Sequence, residues 1–252
     1  MRRALWAFLW LAAVPAMGQG TAPAPSDPKA VAIADEVMRA LGGTEAWNNT
    51  RYLRFDFAVE RDGKVGPPRS HTWDKHTGRY RLEGKTREGD PYVVLMNLNT
   101  KEGSAWMKGA KVEGEEAKKA LDNAYGAWVN DTYWLLAPYK MKDPGVILAS
   151  AGEETKDGTT WDKVALTFDN VGLTPKDKYW LWVNRQTKLV DRWDYVLKGE
   201  EAPPTTWLWK GWKAYGPIQL APDRPSPTEN RKIFFPVLEV PASVADTVFT
   251  TP

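Results

Sequence analysis

From Tyr52 onward, apolar and polar residues alternate with a period of two. Leu53, Phe55, Phe57 and Val59 share one face, Arg54, Asp56, Ala58 and Glu60 share the other, and Arg61-Asp62-Gly63-Lys64 carries turn chemistry. The spacing predicts a half-buried strand. Similar runs at His71 to Asp74, Tyr80 to Gly84, Tyr92 to Leu98 and Ser104 to Lys108 are separated by His76-Thr77-Gly78, Glu88-Gly89-Asp90 and Asn99 to Gly103. Turns this short join antiparallel neighbours, so the first half reads as a meander. Strands resume at Val146 to Ala151, Trp161 to Phe168, Lys178 to Asn184, Leu189 to Leu197, Thr206 to Tyr215 and Ile233 to Leu238. The count is about eleven.

Two stretches carry the helical period instead. Asp27-Pro28 supplies an N-cap and a proline for the first turn, Val31, Ala34, Met38 and Leu41 fall on one face, and Gly42-Gly43 closes the segment. From Glu115 to Trp128, Ala117, Ala120, Leu121, Ala124, Tyr125 and Trp128 recur at helical spacing, with Glu115 one turn ahead of Lys119. The following Asn130 to Pro144 is rich in large apolar side chains and bounded by prolines, and reads as a loop or short helix packed inward. The fold class is therefore mainly β (α+β): a single curved antiparallel sheet or open half-barrel, with an N-terminal and an inserted helix covering its concave face. No solenoid period is present.

The hairpin from Tyr179 to Leu197 places aromatics on both of its faces. A turn at Asn184 to Lys188 with a bulge at Lys188 would pair Val183 with Leu189. Tyr179, Leu181, Val183, Leu189, Trp193, Tyr195 and Leu197 would then share one face, opposite Trp180, Trp182, Val190, Arg192, Asp194 and Val196. An open antiparallel sheet normally has one wet face. Either Arg192 stacks on exposed tryptophan while helices cover the other side, or protein or ligand covers both.

Composition changes this picture in three places. The chain holds 14 tryptophans, which suits sugar stacking, a lipid-lined hollow or a large aromatic core. Lys and Arg number 34 against 32 Asp and Glu, with no basic cluster of the kind nucleic acid requires. There is no cysteine, so disulfides, thiol chemistry and lipidation after a signal are excluded. Met1-Arg2-Arg3, the apolar run from Ala4 to Ala16 and the small-residue exit Ala16-Met17-Gly18 predict a signal peptide over residues 1–18, too short for a membrane span. A flexible tether (19–27) and one domain (28–252) follow, placing the protein in an oxidising envelope compartment, the periplasm if the source is bacterial. A monomer is expected.

Catalytic signatures are missing. His71 and His76 are the only histidines, with no third imidazole and no helix to align them, so neither a metal centre nor a cofactor is expected. Serine-nucleophile, phosphate-loop and dinucleotide motifs are absent. A glycosidase needs only two carboxylates, and Asp131, Asp191 or Asp194 beside tryptophan would serve.

The stretch Asn130-Asp131-Thr132-Tyr133-Trp134-Leu135-Leu136-Ala137-Pro138-Tyr139-Lys140, followed by Asp143-Pro144-Gly145-Val146, together with Tyr179 to Tyr195 and the order of elements, resembles the LolA-type outer-membrane lipoprotein-sorting proteins. That resemblance implies a half-barrel carrier, not an enzyme, shielding acyl chains of a lipoprotein or another lipid-like ligand, with an inner- or outer-membrane partner as a further candidate. Read with the alternation in this chain, Leu53, Phe55, Phe57, Tyr80, Leu82, Val94, Met96, Leu181, Trp193 and Tyr195 would line the cavity, and Leu121, Tyr125, Trp128 and Trp134 would form its lid. The chain departs from the pattern in its length and tryptophan content, and no lid-latching arginine aligns. A ligand-free structural or protein-binding envelope protein is one alternative reading, and a carbohydrate-binding protein or glycosidase another.

Overall fold

The computed structural model describes residues 25–169 and 171–252. The expected signal peptide and most of the tether lie outside the described residues. Among these, no helix is long and apolar enough to cross a membrane.

The first helix, α1 (Pro28–Ala40), begins where the Asp27 carboxylate accepts the Lys29 backbone N–H at 2.8 Å. Its buried stripe is Ala30, Ile33, Ala34 and Val37, continued by Leu41, with Val31 and Met38 at the margin. Gly42 and Gly43 do not end helical structure but redirect it into α2 (Gly43–Asn49). Gly42 has φ 114°, and a Cβ there would lie 2.4 Å from the Pro217 carbonyl oxygen, so only glycine fits.

The meander follows as β1 (Tyr52–Arg61), β2 (Lys64–Val65), β3 (Arg69–Asp74), β4 (Arg79–Lys85), β5 (Pro91–Asn97), β6 (Gly103–Met107) and β7 (Ala110–Val112). After α3 (Gly114–Leu136) come β8 (Val146–Lys156), β9 (Thr159–Phe168), β10 (Lys178–Asn184), β11 (Val190–Val196) and β12 (Thr205–Leu208). The short strands β13 (Lys213–Tyr215), β14 (Ile218–Leu220), β15 (Asp223–Pro225), β16 (Arg231–Phe234) and β17 (Leu238–Glu239) complete the sheets. Where alternation suggests one strand up to Tyr215, Gly211 (φ 77°), Gly216 (φ 60°) and the prolines at 217 and 222 break the chain into short pieces.

All pairings are antiparallel. One ladder runs β15-β16-β1-β3-β4-β5-β6-β7, with β2 and β17 also on β1, and a second runs β12-β11-β10-β9-β8. The ladders meet at an isolated bridge between Lys210 and Asp223, and no closed barrel forms. Among the described residues the result is mainly β, an open half-barrel with three α-helices.

Two sequence expectations are corrected. The inserted helix does not stop near Trp128 but runs 23 residues to Leu136, with Thr132 bonding back to the Trp128 carbonyl, before Pro138 converts it to a 3-10 turn. In the late hairpin Val183 pairs with Val190, and Asp191 is the bulged residue. Val190 is therefore core and Leu189 only half-buried, whereas Trp193 and Tyr195 keep the expected face beside Leu181 and Tyr179. On the opposite face Arg192 lies 4.0 Å from the Trp182 ring, Lys163 lies 4.5 Å from it, and the indole N–H donates to Asp194 at 2.8 Å. The second tryptophan-rich face is covered by its own charged neighbours.

Candidate functional site

Two apolar clusters divide the concave side. The larger packs α1 and the end of α3 against β1 and β8 to β12. The smaller packs the first half of α3 on β4, β5 and β6. Between them, beneath the middle of α3, lies a cavity of about 740 Å³. That size is in the range of small-molecule sites, roughly 300–1,000 Å³.

One wall is Phe57 and Val59 of β1 with Arg231 and Ile233 of β16. The opposite wall is Phe168, Tyr179, Trp193 and Tyr195 from β9, β10 and β11. Tyr125, Trp128, Val129, Tyr133 and Trp134 of α3 form the roof, and Lys140 to Val146 and Val171 to Asp177 complete the rim. At that rim Leu173 is 58% exposed and Leu197 42%, giving the opening an apolar lip.

The rings lock one another. Trp134 meets Trp193 at 4.7 Å and Trp207 at 5.1 Å, both edge to face. Tyr133 approaches Tyr179 at 5.1 Å and Trp193 at 5.9 Å. Such pairs prefer these offset geometries, so the wall is stiff. Burial pushes the Tyr133 and Tyr179 phenols up, and both stay neutral at ordinary pH. The roof is tied down by Arg224, fully buried, which donates to the Trp134 carbonyl at 3.1 Å and lies 3.4 Å from the Trp209 ring. A guanidinium at the carbonyl end of a helix also suits the helix dipole.

The polar groups of the lining fall into two kinds. Asp143 is paired with Lys140, and Asp177 accepts the Lys198 backbone N–H at 2.7 Å and the Tyr179 hydroxyl at 3.3 Å. In contrast, the indole N–H groups of Trp128 and Trp193 and the Nε–H of Arg231 are buried without an acceptor among the described residues.

Of the residues expected to line the site, the fold brings Phe57, Tyr125, Trp128, Trp134, Trp193 and Tyr195 to the cavity. Leu53, Phe55 and Leu181 are solid core of the larger cluster, and Tyr80, Leu82, Val94 and Met96 pack under the first half of α3, to which Leu121 belongs. Alternation puts all of these on the concave face but cannot tell where a helix seals that face. Tyr133, Phe168, Val171 and Leu173 escaped the sequence reading. Tyr133 lies in the stretch that reads as a loop or short helix packed inward, where no periodicity fixes its direction, and residues 171–177 have no periodicity.

The carboxylates considered for catalysis are each held by protein donors. Asp131 receives both Arg69 nitrogens at 2.6 and 2.7 Å and faces His71 Nε2 at 3.0 Å, while His71 Nδ1 meets the Tyr80 hydroxyl at 2.7 Å. Asp191 accepts from Trp161 and Asn184, and Asp194 from Trp182, Arg192 and Thr206. No group of three potential metal ligands occurs among the described residues.

No protein-family model and no curated protein sequence matches the chain. Solved structures do. A LolA superfamily protein from Nitrosomonas europaea superposes with a TM-score of 0.53 at 9% identity, over 88% of this chain and 97% of its own. A DUF1329 family protein from Desulfovibrio piger gives 0.49 at 16% identity, over 89% and 98%, and an outer-membrane lipoprotein-sorting protein domain from Vibrio parahaemolyticus gives 0.47 at 7% identity, over 88% and 96%. With its open half-barrel, inserted helix and concave cavity, the chain has a LolA-like fold.

Proposed function

We propose that the protein is an exported carrier or binding protein that shields an apolar, lipid-like ligand, such as a lipoprotein acyl chain, in the cavity beneath α3. One observation carries this reading: a LolA-like half-barrel retains a hollow of about 740 Å³ walled by interlocked aromatic rings, where a protein stabilised only by its core would be filled. Burying an acyl chain there is driven by about 25 cal/mol for each Å² of apolar surface removed from water, without covalent chemistry. The prior occupation of Asp131, Asp191 and Asp194 by protein donors favours binding over hydrolysis. Residues 28–252 act as one domain, and the basic and apolar start of the chain directs export to the periplasm.

The test is native mass spectrometry with lipid extraction on protein recovered from its own cell envelope, followed by titration with a fluorescent fatty acid. A co-purifying acyl ligand or saturable uptake is expected. A clean apo mass together with no uptake overturns the carrier reading in favour of a protein-binding role.

A further inference from the structure

Resting on that carrier reading, we propose that the ligand is an anionic amphiphile, an acyl chain with a carboxylate or phosphate head, and that Arg231 holds the head. Arg231 stands on β16 opposite Arg61 of β1, with its guanidinium 5.2 Å from the Trp207 ring, in the cavity wall. The other cation of the lining, Lys140, pairs with Asp143, and the buried Arg224 binds backbone carbonyls, while the half-buried Arg69 and Arg192 pair with Asp131 and Asp194. Among the described residues Arg231 has no carboxylate within ion-pair distance and no side-chain hydrogen bond, and its Nε–H is buried.

Two further donors point to the same chemistry. Trp193 is 1% exposed, yet its indole N–H has no acceptor, and neither does that of Trp128. Buried polar groups are almost always satisfied, and three of the six buried side-chain donors left without an acceptor among the described residues belong to the lining of this one cavity, where a bound acceptor would meet them. The acidic groups of the wall are already neutralised or hydrogen-bonded, Asp143 by Lys140 and Asp177 by Lys198 N–H and Tyr179. The unmatched polarity of the cavity is therefore all donor, with one full positive charge. A plain hydrocarbon leaves it unmet. An oxyanion accepts from a guanidinium in the strong, charge-assisted geometry that planar donors favour, while the chain occupies the space among Tyr133, Phe168 and Tyr179.

The experiment uses the mature chain and displacement of the neutral probe N-phenyl-1-naphthylamine by palmitic acid, by palmitoyl lysophosphatidic acid and by hexadecanol. At least one acid is expected to bind about tenfold or more tighter than the alcohol, and whichever acid is tighter identifies carboxylate or phosphate as the head. Arg231→Gln is expected to bring acid and alcohol within about threefold of each other by weakening the acid. Should that variant not fold, raising salt on the wild-type protein reads the same quantity, weakening the acid selectively. Equal binding of acid and alcohol overturns the headgroup assignment and leaves the carrier reading standing. A preference that survives Arg231→Gln removes Arg231 from the role. Failure of the probe and all three ligands to bind overturns the carrier reading itself.

Discussion

Asp131 sits on α3 with no exposed surface, and its carboxylate joins the helix to β3 through Arg69 and His71. Burial disfavours its charge, but hydrogen bonds from His71 and Arg69 outweigh that and hold the carboxyl below the usual range. Removing one member of such a group strands the others. Asp131→Asn is expected to cost about 3 kcal/mol, read as a lower urea midpoint. For His71, burial pushes the imidazole below its ordinary value against the pull of Asp131. The unfolded chain binds a proton near pH 6.5 while the folded one does not, so stability is complete above that pH and declines below it, by at most about 1.4 kcal/mol per pH unit. Urea titrations between pH 7 and 5 should show this decline, and a shallower one in His71→Gln; identical slopes would remove His71 as the source. None of this was legible in the sequence. His71 and Asp131 are 60 positions apart, and their partnership exists only because α3 crosses the meander.

At the scale of the element, α3 has two halves with different work. Its first half seals the cluster of Tyr80, Leu82 and Met96, and its second roofs the cavity with Val129, Tyr133 and Trp134. The heptad-like spacing up to Trp128 was readable because that half is amphipathic. Beyond it the helix is apolar on several sides, since it faces core, cavity and Arg224 in turn, and the periodic signal that would have extended it is lost. Val129→Trp places a large ring in the hollow. It is expected to keep the far-ultraviolet dichroism of the wild type and to weaken fatty-acid uptake at least about fivefold, since forcing ring and ligand into one space costs about 1–3 kcal/mol. Undiminished uptake by this variant would move the ligand to another surface. The hairpin of β10 and β11 was legible in its faces but not its register, because the bulge falls at Asp191 rather than at the turn.

For the whole molecule, a ligand bound only by the folded state raises stability with the logarithm of its free concentration. At a hundredfold excess over its dissociation constant, the gain is about 2.7 kcal/mol, which for a domain of this size means a melting temperature higher by about 5–10 °C. Differential scanning calorimetry with and without fatty acid measures this directly, and an unchanged transition would contradict occupancy of the cavity. The half-barrel itself was readable from alternation, short turns and two helical interludes. Its division into two ladders was not, because the interruption depends on glycines and prolines between Trp209 and Pro225 whose effect is set by packing.

That division has a mechanical consequence. Within each ladder, widening the sheet means shearing a row of backbone hydrogen bonds, but where β12 meets β15 the continuous thread is reduced to Lys210 and Asp223, at 3.0 and 3.3 Å. The rest of that joint is Arg224 laid on Trp209 and reaching the end of α3. Rings and a guanidinium can slide past one another without breaking a ladder, so this joint is the place where the wall can widen at least cost in backbone hydrogen bonds, and under the proposed carrier role a bulkier ligand would be accommodated there.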